Sequence, residues 1–428
     1  MASPPAGCKA SAGAVDYAPV VSNPPTETTS SRAWVGVGLG LAAVWGVCTA
    51  ALRGHTERVD EYSHLPQIRM LLAGDWAVEP SITQIPGYHA LVATVARLFG
   101  APTYDDLRLV STLIGVASVV AFAGCARALG VPRPGLRTVQ FAFFPLLFGF
   151  RFLLYTDTLS IALVLGMGWA VLVGRTNTAG VLGLASLLVR QTNVPWVAAA
   201  PLLGLLADPG LLKRPALDLL RRHATFVLAG VAFVAFVIVN DGVAMAPAEQ
   251  EKHPLGLYWG NPAFLLITAP LVALPLTVSR APAAVRAWRG RSAVFGALVF
   301  GALAALFVTR WEVEHGSNLA LANFIHNHVV VDVASGIGPR LGGVALAAVS
   351  LATVVGMERG RLVALGVVGA LSLLPLRMVE PRYWIPVWTV FLLLRGDAGA
   401  RTERALTLWF GLLSAVLFVL LVQDRAHL

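Results

Sequence analysis

Charged residues and cysteines are both scarce in this 428-residue chain. Asp, Glu, Lys and Arg make up 13% of the residues, whereas they make up about 25% of an average soluble domain. The three cysteines, Cys8, Cys48 and Cys125, lie in or beside apolar segments at no metal-like spacing, which argues against a disulfide framework and against a zinc site. The sequence also contains no P-loop motif, so we do not expect ATP to drive the protein.

The chain is correspondingly rich in hydrophobic residues. They make up 57% of the chain, and the mean hydropathy is +0.72. Apolar runs such as Trp34 to Leu52 and Leu107 to Ala126 match the roughly 20 residues of a membrane-spanning helix. The sequence therefore predicts an all-α polytopic membrane protein with about 12–13 transmembrane helices. We place these helices near residues 34–52, 107–126, 138–154, 157–174, 178–190, 194–207, 224–240, 262–279, 293–309, 341–357, 362–376, 383–394 and 405–422.

The net charge of +9 is explained by topology rather than by a nucleic-acid partner. Lys and Arg accumulate in cytoplasmic loops, and the predicted path collects the basic clusters on one side. Residues 1–33, rich in Pro, Ser, Thr, Ala and Gly, then form a disordered cytoplasmic tail. Residues 34–428 form a single transmembrane domain with a large first outer loop at 53–106. The first apolar run is long enough to remain as an anchor, so we expect no cleaved signal peptide.

The polar residues that could take part in catalysis or binding all fall on the outer face of this path. The 86–99 stretch is also on this face, and we expect it to lie along the surface. The polar residues are Asp60, Glu61, His64, Gln67, Tyr155, Thr156, Asp157, Arg190, Gln191, Thr192, Asn193, Glu249, Glu251, His253, Glu312, Glu314, His315, His326, His328, Asp332, Glu380, Arg382 and Tyr383. Loop filler would be scattered over both faces. The pattern therefore predicts one extracytoplasmic active site.

Arg190 sharpens this prediction, because it lies between two apolar runs. An arginine in such a place costs on the order of 2.5–3.5 kcal/mol on insertion scales unless it has a partner or water. One interpretation is an internal salt bridge, with Asp157 as the candidate partner. The other is an anionic ligand, most simply a phosphate, which arginine binds with its two-pronged guanidinium group.

Two further patterns carry less weight. Asp60, Glu61 and His64 are metal-ligand residue types, but the two acids are adjacent, so a divalent metal is the less favoured interpretation. His326 and His328 point in different directions on a helix, which favours a polar lining over a ligand set.

The stretch DEYSHLPQIRMLLAGDWAVEPSITQIPGYH, from Asp60 to His89, resembles the first outer loop of the dolichyl-phosphate-glucose alpha-1,2-glucosyltransferases. The matching positions are Asp60, Glu61, His64, Pro66, Gln67, Gly74, Ile82, Thr83, Pro86 and Gly87. YTD at Tyr155, RQTN at Arg190 and EPRY at Glu380 follow in the family's order, with a weaker NDG at Asn240. The chain departs from the family at Ala246 to Glu249, where APAE replaces a Gly-Asp-Lys/Arg element.

This resemblance implies a GT-C glycosyltransferase architecture and an inverting reaction without a metal or other cofactor. It implies a polyprenyl-phosphate sugar, of the dolichyl-phosphate-glucose type, as the donor. The acceptor would be a lipid-linked glycan and the product an alpha-1,2 linkage. The enzyme would lie in the endoplasmic reticulum membrane of a eukaryote or the plasma membrane of a prokaryote, with its active site on the lumenal or extracytoplasmic face.

Residue roles follow from this resemblance and from acid–base chemistry. The attacking hydroxyl must lose a proton to a carboxylate, and Asp60 is the first candidate for this general base, followed by Glu61 and Asp157. Two adjacent acids at a desolvated edge are expected to raise each other's pKa. The phosphate would be bound by Arg190 and Arg382. The other expected substrate-binding residues are His64, Gln67, Thr83, Tyr155, Gln191, Asn193, His253, Glu380 and Tyr383.

Two alternatives remain open at this point. A GT-C transferase of another sugar would use the same machinery, because sugar choice depends on a few pocket hydrogen bonds. A membrane transporter of a polar lipid or solute would also carry Arg and Asp within its spans. No convincing internal repeat is visible, and the polar groups cluster at one face, which favours the enzyme.

Overall fold

The computed structural model describes residues 31–425, with gaps at 101, 208–214, 255, 288–296, 298–299, 303, 306, 310, 312–314 and 320–323. Several predicted features therefore lie outside the described residues: the tail up to residue 30, Cys8, Glu312, Glu314 and part of the helix at 293–309. Within the described residues the regular structure is helical and contains no strand. The prediction of an all-α polytopic membrane protein is confirmed.

The helices are, in chain order, α1 Ser31–Ala51, α2 Glu61–Leu72, α3 Gly87–Ala96, α4 Tyr104–Ala128, α5 Pro134–Ala142, α6 Pro145–Phe148, α7 Thr156–Leu172, α8 Thr176–Val189, α9 Val194–Ala207, α10 Ala216–Arg222, α11 Ala224–Val239, α12 Pro247–Lys252, α13 Gly260–Val272, α14 Leu274–Ala287, α15 Ile325–Ala334, α16 Ile337–Val354, α17 Arg359–Leu373, α18 Ile385–Leu394 and α19 Ala400–Val422. Short 3-10 turns add Arg97–Phe99, Gly149–Phe152, Gln191–Asn193, Gly316–Leu319 and Pro381–Trp384.

The number of long spans differs from the predicted 12–13. In the part of the chain that the structure describes, four helices are long and apolar enough to cross a membrane: Trp34–Ala51, Tyr104–Ala128, Ile337–Val354 and Ala400–Val422. Three bent helix pairs, with bends of 115°, 71° and 98°, raise the number to seven.

Proline explains why two of the predicted spans are broken. The helix predicted at 262–279 is broken at Ala273, two residues before Pro275, and the one at 138–154 is broken before Pro145. Proline lacks the N–H that would continue the hydrogen-bond ladder, so an apolar run that contains it need not be one straight helix.

The outer loop at 53–106 is a folded layer. Its helices α2 and α3 share a small hydrophobic cluster with α4, in which Ile68, Tyr88 and Val110 are buried. A larger core lies among the long helices and is rich in aromatic rings, such as Phe122 stacked on Phe141 at 4.5 Å between ring centroids. The small cluster fixes α2 against the membrane domain, and the candidate site lies at the start of α2.

A buried ionic network joins α5, α18 and α19. Both carboxylate oxygens of Glu403 accept hydrogen bonds from Arg395, at 2.7 and 2.6 Å, and Arg137 donates at 3.3 Å. Arg137 also donates to the carbonyl oxygen of Leu392 at 2.8 Å, and Gln140 donates to Glu403 at 2.9 Å. All three charged side chains are buried. The network holds two arginines around one carboxylate, so that carboxylate cannot be removed without leaving uncompensated charge.

We predict that Glu403→Gln destabilises the fold by about 3–5 kcal/mol, because it leaves Arg137 and Arg395 buried without an anionic partner. Thermal unfolding in a defined detergent measures the effect. The control is Asp397→Asn, which breaks the partly exposed pair with Arg133 and should cost about 0–1 kcal/mol. Equal melting temperatures for the two variants would contradict the prediction.

Candidate active site

A cavity of about 390 Å³ lies where the starts of several helices meet the outer loop. It collects segments that are far apart in sequence: the start of α2, the Ser81–Gln84 turn, the start of α7, α12, the Gly316–Leu319 turn, the start of α15 and the EPRY segment. Eight predicted site residues line it: Asp60, His64, Thr83, Tyr155, His253, Glu380, Arg382 and Tyr383. The structure therefore brings most of the predicted residues together.

Asp60 and Arg382 form an ion pair across this cavity. Asp60 is the N-cap residue of α2, yet its side chain makes no capping hydrogen bond and is directed to Arg382 instead. Its backbone N–H donates to the hydroxyl oxygen of Tyr155 at 2.8 Å. Its side chain is 29% exposed. The carboxylate is thus held in place and still accessible from the cavity.

The pKa of Asp60 is lowered rather than raised. Burial opposes its ionisation, but the charges of Arg382, His64 and Arg190, together with the hydrogen bond from Arg382, bring the pKa below its ordinary value. The expectation that Glu61 raises this pKa is wrong, because Arg382 dominates the surroundings of Asp60. Asp60 is ionised at neutral pH.

Glu380 is the second carboxyl group beside Arg382. The Nε atom of Arg382 lies 3.7 Å from its Oε1 atom, and the Nε2 atom of His326 lies 3.8 Å from its Oε2 atom. Burial raises the pKa of Glu380 to about 7, with Asp60 and Asp157 adding to the rise and Arg382 opposing it. Environments that push two carboxyl pKa values apart are typical of acid–base sites.

Two asparagines that sequence reasoning missed hold the EPRY segment. The Oδ1 atom of Asn261 accepts hydrogen bonds from the backbone N–H of Glu380, at 3.1 Å, and from the indole of Trp384, at 3.2 Å. The Oδ1 atom of Asn318 accepts from the backbone N–H of Val379 at 3.1 Å. Neither asparagine belongs to a matched motif, so their roles could not be read from the sequence.

Arg190 and Asp157 form the internal ion pair that was one of the two sequence-based interpretations. Both side chains are buried. The guanidinium of Arg190 lies 5.6 Å from the centre of the Tyr383 ring, and that of Arg382 lies 6.0 Å from the same ring. Neither member of this pair lines the cavity, but Arg190 is close enough for its charge to act on Asp60.

Glu61 faces away from the cavity. Its carboxylate accepts hydrogen bonds from Arg108, at 3.1 and 2.5 Å, and from the backbone N–H groups of Arg58, at 3.0 Å, and Leu154, at 2.8 Å. Its side chain is 0% exposed. This geometry does not fit a general base, so we assign Glu61 a structural role.

Gln67, Gln191 and Asn193 also do not line the cavity. Gln67 bridges the loop after α2, donating to the carbonyl oxygen of Ala77 at 3.0 Å and accepting from the backbone N–H of Glu79 at 2.7 Å. Gln191 donates to the carbonyl oxygen of Thr83 at 3.4 Å, and Asn193 donates to Ser160 at 2.8 Å. Of these three residues, Gln191 contacts a residue of the cavity lining, Thr83.

The residues of the suggested metal cluster do not converge. Glu61 is bound to Arg108, and the Nδ1 atom of His64 lies 3.0 Å from the Nε2 atom of His89. No group of three His, Cys, Asp or Glu side chains suited to a metal occurs among the residues that the structure describes. His326 is buried in the cavity wall while His328 is exposed, as the two directions on a helix imply.

Comparison with known proteins supports the resemblance in the first half of the chain. Residues 55–209 match the model of the DIE2/ALG10 family, less than half of the chain. This segment contains the long outer-loop block, YTD and RQTN. The sequence similarity to the dolichyl-phosphate-glucose alpha-1,2-glucosyltransferases is thereby confirmed as a distant one.

Curated relatives carry the name Dol-P-Glc:Glc(2)Man(9)GlcNAc(2)-PP-Dol alpha-1,2-glucosyltransferase. The Emericella nidulans protein is 31% identical over 165 residues, which cover 33% of this chain and 27% of the relative. The mouse protein is 26% identical over 260 residues, which cover 47% of this chain and 54% of the relative. This chain therefore spans about half the length of these relatives, or less. No solved structure matches it.

We predict that Glu61→Gln lowers the melting temperature more than Asp60→Asn does. The first change leaves Arg108 buried opposite a neutral amide, which costs several kcal/mol, whereas Asp60 is partly exposed and Arg382 keeps Glu380 as a neighbour. Thermal unfolding of both variants in one detergent provides the comparison. A larger loss for Asp60→Asn would refute the structural role of Glu61.

We predict that Glu380 titrates near pH 7. Because its folded-state pKa lies above the ordinary value of 4.5, the folded protein holds this proton more tightly than the unfolded chain, and stability falls as pH rises from about 4.5 to about 7. Infrared spectroscopy should show a protonated-carboxyl band that disappears across neutral pH in the wild type. The prediction fails if the band is unchanged in Glu380→Gln.

Proposed function

We propose that this protein is an inverting glycosyltransferase that moves glucose from a polyprenyl phosphate of the dolichyl type to a lipid-linked glycan, forming an alpha-1,2 linkage. The names of the matched relatives state this donor, this acceptor type and this linkage for those proteins. The observation that carries the proposal is the Asp60–Arg382 pair, which presents an ionised carboxylate and a guanidinium to one cavity at the end of the membrane helices.

Arg382 is suited to bind the donor phosphate. A polyprenyl-phosphate sugar is a phosphodiester with one negative charge, and arginine forms strong charge-assisted hydrogen bonds to phosphate oxygens. In the structure Arg382 is engaged by Asp60, so an arriving phosphate competes with that carboxylate for it. Arg190, which lies 5.6 Å from the centre of the Tyr383 ring, adds positive potential nearby.

Asp60 is suited to act as the general base. As the acceptor hydroxyl attacks the anomeric carbon, its proton passes to the carboxylate of Asp60. The bond between the anomeric carbon and the phosphate oxygen breaks on the opposite face of the sugar, and polyprenyl phosphate leaves with that electron pair. This direct displacement inverts the anomeric centre, and each step uses a group that the cavity presents.

An apolar groove of about 530 Å³ fits the polyprenyl tail. It is lined by α13, α16, α17 and α18, and it includes Trp259 and Pro262 at the start of α13, on either side of Asn261. Asn261 holds the backbone of Glu380, so the groove begins beside the cavity. A tail in this groove would present its phosphate near Arg382 from the membrane side.

The protein is an integral membrane protein. In the proposed arrangement the cavity opens to the lumen of the endoplasmic reticulum in a eukaryote, or outside the plasma membrane in a prokaryote, where lipid-linked glycans are extended. The APAE departure lies at α12, which supplies Glu249, Lys252 and His253 to the cavity. Because of this departure, the identity of the donor sugar is the first property to test experimentally.

We expect the purified protein, reconstituted in lipid, to transfer glucose from polyprenyl-phosphate glucose to a glucose-terminated lipid-linked acceptor, with and without chelator. Asp60→Asn should lower kcat by about 10²–10⁴-fold, the usual contribution of a general base. Asp157→Asn tests the third candidate for the general base. We expect this change to affect activity mainly through the loss of the ion pair with Arg190. Polyprenyl-phosphate mannose serves as the competing donor.

Two outcomes would contradict this proposal. Full activity in Asp60→Asn would remove Asp60 from the reaction. Absence of transfer from every polyprenyl-phosphate sugar by a folded wild-type protein would leave the resemblance without the activity.

A further inference from the structure

A second wall of the cavity is built from residues outside every matched motif except the weak NDG block. It consists of His253 at the end of α12, His315 and Asn318 around the Gly316–Leu319 turn, and His326 at the start of α15, and we call it the histidine wall. Three separate segments supply these side chains. Arg382 and Asp60, which the proposed reaction uses, belong to the other segments of the cavity.

The histidine wall contains buried polar atoms without partners. The Nδ2 atom of Asn318 and the Nδ1 atom of His326 make no hydrogen bond to any residue that the structure describes, although the two residues are only 1% and 6% exposed. The opposite polar atom of each side chain has a neighbour that orients it. The Oδ1 atom of Asn318 accepts from the backbone N–H of Val379, and the Nε2 atom of His326 faces Glu380. A buried polar group left unpaired costs about 1–3 kcal/mol, so two of them in one cavity wall point to a ligand.

The charge of this wall is close to neutral. Burial lowers the pKa of His253, His315 and His326, the last to about 4, so all three are uncharged at neutral pH. The cations Arg382, Lys252 and Arg377 face the cluster and lower these pKa values further, while Glu249 opposes them for His253 and His315. Glu380 is the other acid in contact, beside His326.

The wall also offers flat ring faces. The rings of His253 and His315 are stacked at 5.2 Å with an angle of 19°, and the Phe324 ring packs edge-on at 5.7 Å from His326. Neutral imidazole and amide groups donate and accept hydrogen bonds to hydroxyls, and ring faces pack against the apolar faces of a sugar. The four side chains of the wall carry no positive charge, so a phosphate would be bound by the neighbouring Arg382 or Lys252 rather than by the wall itself.

We propose that the histidine wall is a pyranose-binding subsite, in which Asn318 and His326 hydrogen-bond the hydroxyl groups of one sugar of the substrates. This inference rests on the proposed function and deepens it. The sugar is either the terminal residue of the glycan acceptor or the glucose of the donor, since both present the same hydroxyl chemistry. The experiment below separates these two sources.

The test uses Asn318→Asp, which keeps the oxygen that accepts from Val379 but removes the Nδ2 donor, and His326→Phe, which keeps the ring shape. His328→Phe is the matched control, because His328 lies on the same helix, is exposed and does not line the cavity. Melting temperatures establish that the variants fold. We expect each wall variant to raise KM for one substrate about tenfold, the equivalent of one lost hydrogen bond, with little change in kcat.

The substrate whose KM rises identifies the sugar: the acceptor's KM if the wall holds the acceptor, and the donor's KM if it holds the transferred glucose. A second readout needs no transfer. Saturation-transfer NMR of methyl α-glucoside with the protein in nanodiscs should show binding in the wild type and His328→Phe, and a loss in His326→Phe.

The outcomes separate the two proposals. Sugar binding that depends on His326 in a protein without transferase activity would support the subsite and overturn the proposed function. Active, folded wall variants with both KM values and NMR binding unchanged would overturn the subsite alone.

Discussion

The guanidinium of Arg382 is the group on which the cavity depends, because two of the carboxyl groups that line the cavity, Asp60 and Glu380, face it. A buried charge is stable only when it is paired, and here one cation is divided between two acids. The division is unequal. Asp60 has the close contact and a lowered pKa, whereas Glu380 is more deeply buried, farther from the cation and has a pKa near 7. Burial thus dominates at Glu380 and raises its pKa, whereas Arg382 dominates at Asp60 and lowers the pKa there.

The adjacent acids Asp60 and Glu61 divide two tasks between them. Glu61 binds Arg108 of α4 and the backbone of Leu154, so it fixes the start of α2 against the membrane helices. Asp60 comes one residue before it, and Tyr155 one residue after Leu154. The hydrogen bond from the Asp60 backbone to the Tyr155 hydroxyl is a consequence of this register. A fully buried, structural ion pair therefore positions the partly exposed carboxylate that faces the cavity.

The matched motifs predicted which residues line the cavity better than they predicted where individual side chains point. Asp60, Tyr155, Glu380 and Arg382 come together as expected, because each lies in a segment that joins two predicted spans on the outer face. Glu61, the second candidate for the base, points to Arg108 instead, since adjacency in sequence does not tell which of two acids points inward. Asn261 and Asn318 belong to no matched motif, and only their contacts with the EPRY segment assign them. The helices predicted at 138–154 and 262–279 are interrupted near Pro145 and Pro275, where apolar composition continues but helical hydrogen bonding does not.

Under the proposed function, the pairing of Asp60 with Arg382 couples donor binding to base strength. While Arg382 contacts Asp60, its charge holds the pKa of that carboxylate down, and a carboxylate with a low pKa is a weak base. A donor phosphate that takes over the guanidinium removes this stabilisation, so the pKa of Asp60 rises towards the value that burial alone would give. Asp60 would then become an effective proton acceptor only when the donor is in place, which ties deprotonation of the acceptor hydroxyl to the presence of the sugar it attacks.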